Sequence, residues 1–511
     1  MLFNSYYFIL IFLPLSIAVY FFFNKKNISW IVLLSFSLFF YSFYHFEYLF
    51  LILTSIFFNY FLAVRIIRSN PLKKKKIFYL GLFINLLILG YFKYTNFFLQ
   101  NINTYLETNF EFQNIILPLA ISFFTFQQIA FLSDILNNKI RGLSLLKYVL
   151  FITFFPQLIA GPIVRYNNII PQFLKPKSNN FRNSNILLGI LLFILGLSKK
   201  VLLADNLAVY VDDIFLLNYE NVRVHALDYL LASTSYSLQL YFDFSGYCDM
   251  AMGLAKMFNI NLPLNFNSPY KAFNIIDFWR RWHITLTKFL TEFVFMPLNL
   301  KSSRKAASIN KVLVKGNITL YFCLMVTFII SGVWHGAGWN FIFWGLTHGI
   351  FLSFNYFWKH MKKSFRFGSI DENYFYMIFC RIFTFFCITI SFIFFRATDF
   401  SSGLNFINSF IFSFYETPNF IESHLYNFDN NIIFVLLFFI SIVIVNFLPN
   451  SQELSFSIAP KMNIYKKEIS KFRFSVKNYL RKIIIASLII FLLFLNLSQL
   501  ININEYIYFR F

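Results

Sequence analysis

Tyr6-Tyr-Phe-Ile-Leu-Ile-Phe-Leu-Pro-Leu-Ser-Ile-Ala-Val-Tyr-Phe-Phe-Phe23 contains no charged side chain. Wound as a helix, such a run rises about 27 Å, close to the roughly 30 Å of a hydrocarbon core. Ile28 to Tyr44, Tyr48 to Val64, Ile77 to Phe92, Ile432 to Leu448 and Ile483 to Leu497 read the same way, each with a few flanking residues. Of the 511 residues, 58% are hydrophobic and 13% charged. A soluble domain carries about a quarter charged residues. These runs predict an all-α polytopic membrane protein. A β-barrel would instead show short alternating segments. The 77 phenylalanines are read as compositional bias and not as an aromatic binding surface.

The net charge is +22. The basic residues gather in short loops: Lys25-Lys26, Arg65 to Lys76, Lys301 to Lys315, Lys359 to Arg366 and Lys461 to Lys482. That is the pattern of cytoplasmic loops meeting anionic lipid headgroups, so membrane lipids are the expected partners. Nucleic acid is not expected, because no folded soluble basic domain is visible. Alternating the spans from Lys25-Lys26 inside places both termini outside. It also puts the stretch Thr95 to Asn114, which holds Glu107 and Glu111 and no Lys or Arg, on the outer side. The first run lacks a basic n-region and a small-residue cleavage site, so it is read as a retained helix. Cys248, Cys323, Cys380 and Cys387 form no C-x-x-C pair and read as structural thiols. No repeat or long linker divides the chain, which is taken as one domain over 1–511, with core motifs at about 115–360 and C-terminal helices at about 370–511.

The middle of the chain is irregular. Pro156, Gly161-Pro162, Pro171, Pro263, Pro269 and Pro297 interrupt apolar sequence, and Lys199, Lys200, Asp205, Asp243 and Asp249 lie close to apolar runs. Broken helices inside a membrane survive where protein buries them or where they line a wet cavity, so re-entrant helices around a cavity are expected. The segment Phe278 to Phe293 reads as one amphipathic helix, with Phe278, Trp282, Leu286, Phe289, Leu290 and Phe293 in a stripe. Asp277 and Arg281 stand four apart on it in the favourable order. His283 sits at the flank of the stripe. An interfacial helix whose Arg280, Arg281 and Lys288 meet lipid phosphates is the plainer alternative. His335, in Ser331-Gly-Val-Trp-His-Gly-Ala-Gly-Trp-Asn340, lies among glycines that allow close approach of a ligand. A structurally hydrogen-bonded imidazole is its plainer reading, and His348 reads as packing. Asp243 and Asp249 read as acids paired with Lys or Arg, and Asn265 to Tyr270 as a polar turn. Nothing matches a Walker A loop, a dinucleotide fingerprint, a zincin helix or a nucleophile elbow, and no metal site is expected.

Taken together, these stretches resemble the membrane-bound O-acyltransferase (MBOAT) superfamily, and within it the bacterial alginate O-acetyltransferase branch. The resemblance is carried in order by Leu117-Pro-Leu-Ala-Ile-Ser-Phe-Phe-Thr-Phe-Gln127, Phe155-Pro-Gln-Leu-Ile-Ala-Gly-Pro162, Tyr241 to Tyr270, Asp277-Phe-Trp-Arg-Arg-Trp-His283 and Gly332-Val-Trp-His-Gly336. Ala120 stands where relatives often have Gly, and Cys248 where they often have Ser or Thr. The resemblance implies a ring of about 11 to 13 transmembrane and re-entrant helices around a tunnel. It also implies His335 as the catalytic histidine and His283 as the second functional position. Asp243, Asn265, Asn267, Trp282, Trp334, Arg280 and Arg281 are the supporting candidates at the tunnel and substrate. The long extension after about residue 400 favours acetyl transfer to an envelope polysaccharide, alginate-like or peptidoglycan, over D-alanyl transfer to teichoic acid.

The implied reaction takes an acetyl group from a cytoplasmic thioester, acetyl-CoA, with no bound cofactor. His335 is the expected base, and His283 orients the donor or stabilises charge. Arg280 and Arg281 would meet CoA phosphates or lipid phosphates. A periplasmic SGNH-type partner and a place in the bacterial inner membrane follow from the same resemblance. The rivals are a D-alanyl transferase and a non-enzymatic polysaccharide or acyl transporter. The ending Glu505-Tyr-Ile-Tyr-Phe-Arg-Phe511 reads either as an aromatic interfacial anchor or as an acyl relay on Tyr508, with Tyr506 second.

Overall fold

The computed structural model describes residues 1–23, 28–43, 46–140, 142–174, 180–300, 312–365, 373–413, 428–458, 478–500 and 505–507. Most of the basic loops at 25–26, 301–315 and 461–482 lie outside the described residues, as does Tyr508. Among the described residues every regular element is helical. Five stretches are long and apolar enough to cross a membrane: Phe46–Arg68, Pro71–Leu106, Asn183–Tyr219, Ile318–His335 and Tyr374–Arg396. Tyr7–Phe22, Ser29–Ser42, Ile432–Phe447 and Ile490–Gln499 are apolar but shorter in the described residues.

The chain divides into two compact units. The first comprises Met1–Val201, Phe244–Pro263 and Leu454–Arg510. The second comprises Leu202–Asp243 and Leu264–Glu453, with Phe511.

In the first unit, helix Pro71–Leu106 starts where its sequence dictates. Pro71 takes the first turn, where it has no N–H to lose, and Asn70 caps by accepting from the Lys73 N–H at 3.1 Å. The helix runs on to Leu106 and ends at Glu107, which adopts a left-handed backbone at φ 50°. The stretch from Thr95 onward is therefore mostly helix and not loop. A buried amide cluster ties this helix to Phe46–Arg68 and Ile121–Leu136. Asn59 donates to Gln128 at 2.6 Å and to Asn85 at 3.1 Å, while Ser55 donates to Gln128 at 2.8 Å. Hydrocarbon offers such groups no water, so the helices satisfy one another, at about 0.6 kcal/mol per bond on average. Phe50, Phe57, Phe61 and Phe83 stand exposed on these helices, as lipid-facing residues do. Ala120 sits at φ 65° just before helix Ile121–Leu136, a left-handed backbone that favours glycine.

The polar groups of the middle are partly paired as expected. The Lys199 ammonium meets Asp249 at 2.6 Å. Lys199 opens a π-helical turn, Lys199–Ala204, that continues helix Asn183–Ser198. Lys200 is buried and donates to the Glu505 carbonyl at 2.8 Å, with its ammonium 4.7 Å from the Tyr506 ring centre.

In the second unit, helices Val312–His335 and Trp339–Ser364 form a hairpin that crosses at glycine. A Cβ on Gly332 would stand 2.2 Å from the Phe341 carbonyl oxygen and 3.2 Å from Gly345 Cα. Only the absence of side chains lets these backbones meet. Helix Tyr374–Arg396 packs alongside. Asn340, at the start of Trp339–Ser364, donates to the carbonyls of Phe394 and Ala397 at 3.2 and 2.9 Å and so holds the end of that helix.

Candidate active site

The second unit holds both histidines. His335 is the last residue of helix Val312–His335 and is 3% exposed. Its imidazole lies among three aromatic rings: Trp334 at 4.9 Å, Trp344 at 5.0 Å and Phe395 at 5.2 Å between centres. His283 is fully buried, and its ring lies 6.2 Å from Trp334. Both imidazoles therefore neighbour one indole.

The expected continuous helix from Phe278 to Phe293 is broken. Ile275–Arg281 ends, Trp282 is extended, and a new helix, Ile284–Leu290, begins after His283. His283 adopts φ 41° and ψ 51°, a left-handed backbone uncommon outside glycine but more frequent for His than for most residues. No glycine or proline marks the break, and the apolar stripe continues through it. The strain fits a residue held for function, since such outliers persist where surrounding contacts over-determine them.

Asn265 makes those contacts. Its Oδ1 accepts from the Thr285 N–H at 3.1 Å and the Thr285 hydroxyl at 2.8 Å, which fixes the orientation of the amide. The same oxygen lies 3.2 Å from His283 Nδ1. An oxygen can only accept, so Nδ1 carries the imidazole proton and Nε2 keeps its lone pair. The Asn265 carbonyl also accepts from the Ile284 N–H at 2.9 Å. Asn265→Leu is expected to lower activity more than it lowers protein yield, because it frees the His283 tautomer while conserving volume. Kinetics and yield measured on one preparation check this; unchanged turnover would remove Asn265 from the site.

The other candidates separate. Trp334 neighbours both histidines. Trp282 is buried against Phe278, Phe266 and Phe392, so it supports the fold behind His283. Asn267 closes the chain turn, donating its N–H to the Arg281 carbonyl at 2.9 Å and accepting from Asn450 at 3.1 Å. Arg281 pairs with Asp277 at 2.9 Å, as the four-residue spacing predicts, and Arg280 is exposed. Asp243 is buried on helix Ala226–Met257.

Two residues of the site escaped the sequence reading, Trp344 and Ser391; His348, read as packing, contacts both. His348 Nδ1 accepts from the Trp279 indole N–H at 3.3 Å, so Nε2 bears the proton and donates to the Ser391 hydroxyl at 3.0 Å. Ser391 donates its own O–H to the Ile388 carbonyl at 2.7 Å. His348 is thus a fixed strut, 4.8 Å from the Trp344 ring. The available signal was Asn340, Trp344 and His348 at four-residue spacing, one buried helix stripe.

A model of the membrane-bound O-acyltransferase family, MBOAT, matches residues 73–398, a span that contains both histidines. The chain belongs to that family: it is a membrane-embedded, multi-pass acyltransferase. It is 43% identical over 444 residues to the peptidoglycan O-acetyltransferase of Helicobacter pylori, covering 80% of each chain. It is 33% identical over 366 residues to the probable alginate O-acetylase AlgI of Pseudomonas aeruginosa, covering 69% of this chain and 65% of that one. The teichoic acid D-alanyltransferase of Bacillus subtilis matches over 253 residues at 32% identity, 49% of this chain and 62% of that one.

Proposed function

We propose that the protein moves an acetyl group from a cytoplasmic thioester, acetyl-CoA, across the membrane for O-acetylation of an envelope polysaccharide. Peptidoglycan is the first choice of polymer and an alginate-like exopolysaccharide the second. The placing of His335 and His283 beside the same Trp334, inside the family-matched segment, carries this reading. The likeness to a peptidoglycan O-acetyltransferase over four fifths of the chain supports the order of polymers.

The thioester is already activated, so the protein has to supply a base and a place for the oxyanion. His335 takes the proton of the attacking hydroxyl as its oxygen bonds to the acyl carbon. The carbon–sulfur bond then breaks, and the leaving thiolate takes the proton back from the imidazolium. His283, with its lone pair on Nε2, orients the donor by accepting a hydrogen bond from it. Arg280 and Arg281 lie on one short helix and suit phosphates, whether of CoA or of lipid. The chain sits in the bacterial inner membrane with both termini outside. The attacking hydroxyl is the Tyr508 phenol, which carries the acetyl group on the far side as an ester and is regenerated when a periplasmic SGNH-type partner passes that group to a polymer hydroxyl.

The test is chemical. Purified protein in bilayers, given acetyl-CoA, the partner and the polymer, is expected to release free CoA thiol and form acetyl esters in equal amounts. Absence of thiol release removes acetyl-CoA as the donor. Alanyl esters on the envelope would replace acetyl transfer with D-alanyl transfer.

A further inference from the structure

Beside His335 lie two buried hydrogen-bond donors that the reaction as described leaves unused. Trp344 is 1% exposed, and its indole N–H meets no acceptor among the described residues. Ser331 is fully buried, and its hydroxyl likewise has no partner among the described residues. A serine inside a helix usually returns its hydroxyl to a carbonyl one turn back, as Thr327 does to Cys323 at 2.6 Å. Ser331 makes no such bond. A buried donor without an acceptor costs free energy, and natural proteins seldom tolerate one without a reason.

The fold brings the two together. Ser331 precedes Gly332 and Trp344 precedes Gly345, the two glycines at which the hairpin helices cross in backbone contact. Ser331 is also one helical turn before His335, on the same helix face. Trp344 meets the His335 ring edge-to-face, at 5.0 Å and 87°. It is held there by His348 at 4.8 Å, Phe395 at 5.2 Å and Trp279 at 6.0 Å. With both ring nitrogens of His348 engaged, that cage does not reorganise easily. Fixed donors in a water-poor site are what an oxyanion requires.

We propose that Trp344 and Ser331 donate to the carbonyl oxygen of the acyl group as it reacts at His335. The inference rests on the thioester-donor reading above and assigns the groups that stabilise charge in it. As the carbonyl carbon becomes tetrahedral, negative charge collects on that oxygen and both hydrogen bonds shorten. Loss of one such donor lowers kcat by about 10²- to 10³-fold.

The test compares two CoA analogues: the ketone isostere of acetyl-CoA, in which CH2 replaces sulfur, and S-ethyl-CoA, which has no carbonyl oxygen. Wild type is expected to bind the ketone about tenfold more tightly. Trp344→Phe and Ser331→Ala are each expected to reduce that preference and to lower kcat. A role confined to packing would weaken both analogues alike. Ser331→Ala is nearly isosteric, so it carries the test even where Trp344→Phe fails to accumulate. A preference unchanged in Ser331→Ala and in whatever Trp344→Phe accumulates overturns this inference and leaves the donor reading standing. Wild type that binds neither analogue overturns the donor reading and this inference with it.

Discussion

His335→Ala protein is expected to reach the membrane at near wild-type level and to transfer acetyl groups about 10² to 10⁴ times more slowly. The imidazole lies at a helix end, among Trp334, Trp344 and Phe395. Its removal opens a void beside rigid rings without touching the glycine crossing at Gly332 and Gly345. Stability loss should therefore be modest, and the chemical loss large. Turnover of purified protein, normalised to the amount in the membrane, checks this. Retention of more than about a tenth of wild-type turnover is incompatible with a general base at this position.

Tyr508→Phe is expected to abolish acetylation of the polymer while leaving expression and insertion unchanged. The substitution keeps the ring, and with it any interfacial anchoring, and removes only the hydroxyl. A phenol is among the side chains that form covalent acyl intermediates. Tyr506 is a poorer choice. Its ring is buried, lies 5.1 Å from Tyr247, and its hydroxyl is 3.9 Å from the sulfur of Met250. Mass spectrometry of the C-terminal peptide, with quantification of polymer esters, decides the matter. Normal esters in the Tyr508→Phe strain would leave the anchor as the only role of that residue.

The helical membrane class was legible because hydrocarbon imposes it: a span needs an unbroken apolar run, and such runs are plain in the sequence. The histidines were legible as a motif, and Asn265 as part of the polar turn that accompanies them. The break at His283 was not. Its signature is a left-handed backbone stabilised by Asn265 and Thr285, and the period of the apolar stripe passes through it undisturbed. The length of helix Pro71–Leu106 was also missed, because its outer turns are polar and hydropathy ends before the backbone does. Lys199 with Asp249 illustrates a middle case: the sequence shows that a buried acid needs a cation, and only the fold shows which one. For His348 the packing role was legible but its partners, Trp279 and Ser391, were not, being 69 and 43 residues away along the chain.

Phe3 is buried and stacks on Tyr247 at 5.0 Å, and Tyr506 approaches the same Tyr247 from the other end of the chain. Ribosomes add about 5 to 20 residues per second. The first contact can form once Tyr247 is made and the second only when Tyr506 is, so they are separated by roughly ten seconds to a minute of synthesis. Phe3 reaches the membrane early and waits. The first unit closes only after nearly all its helices have left the translocon, and a ribosome that stalls late leaves an inserted chain whose first and last segments have never met.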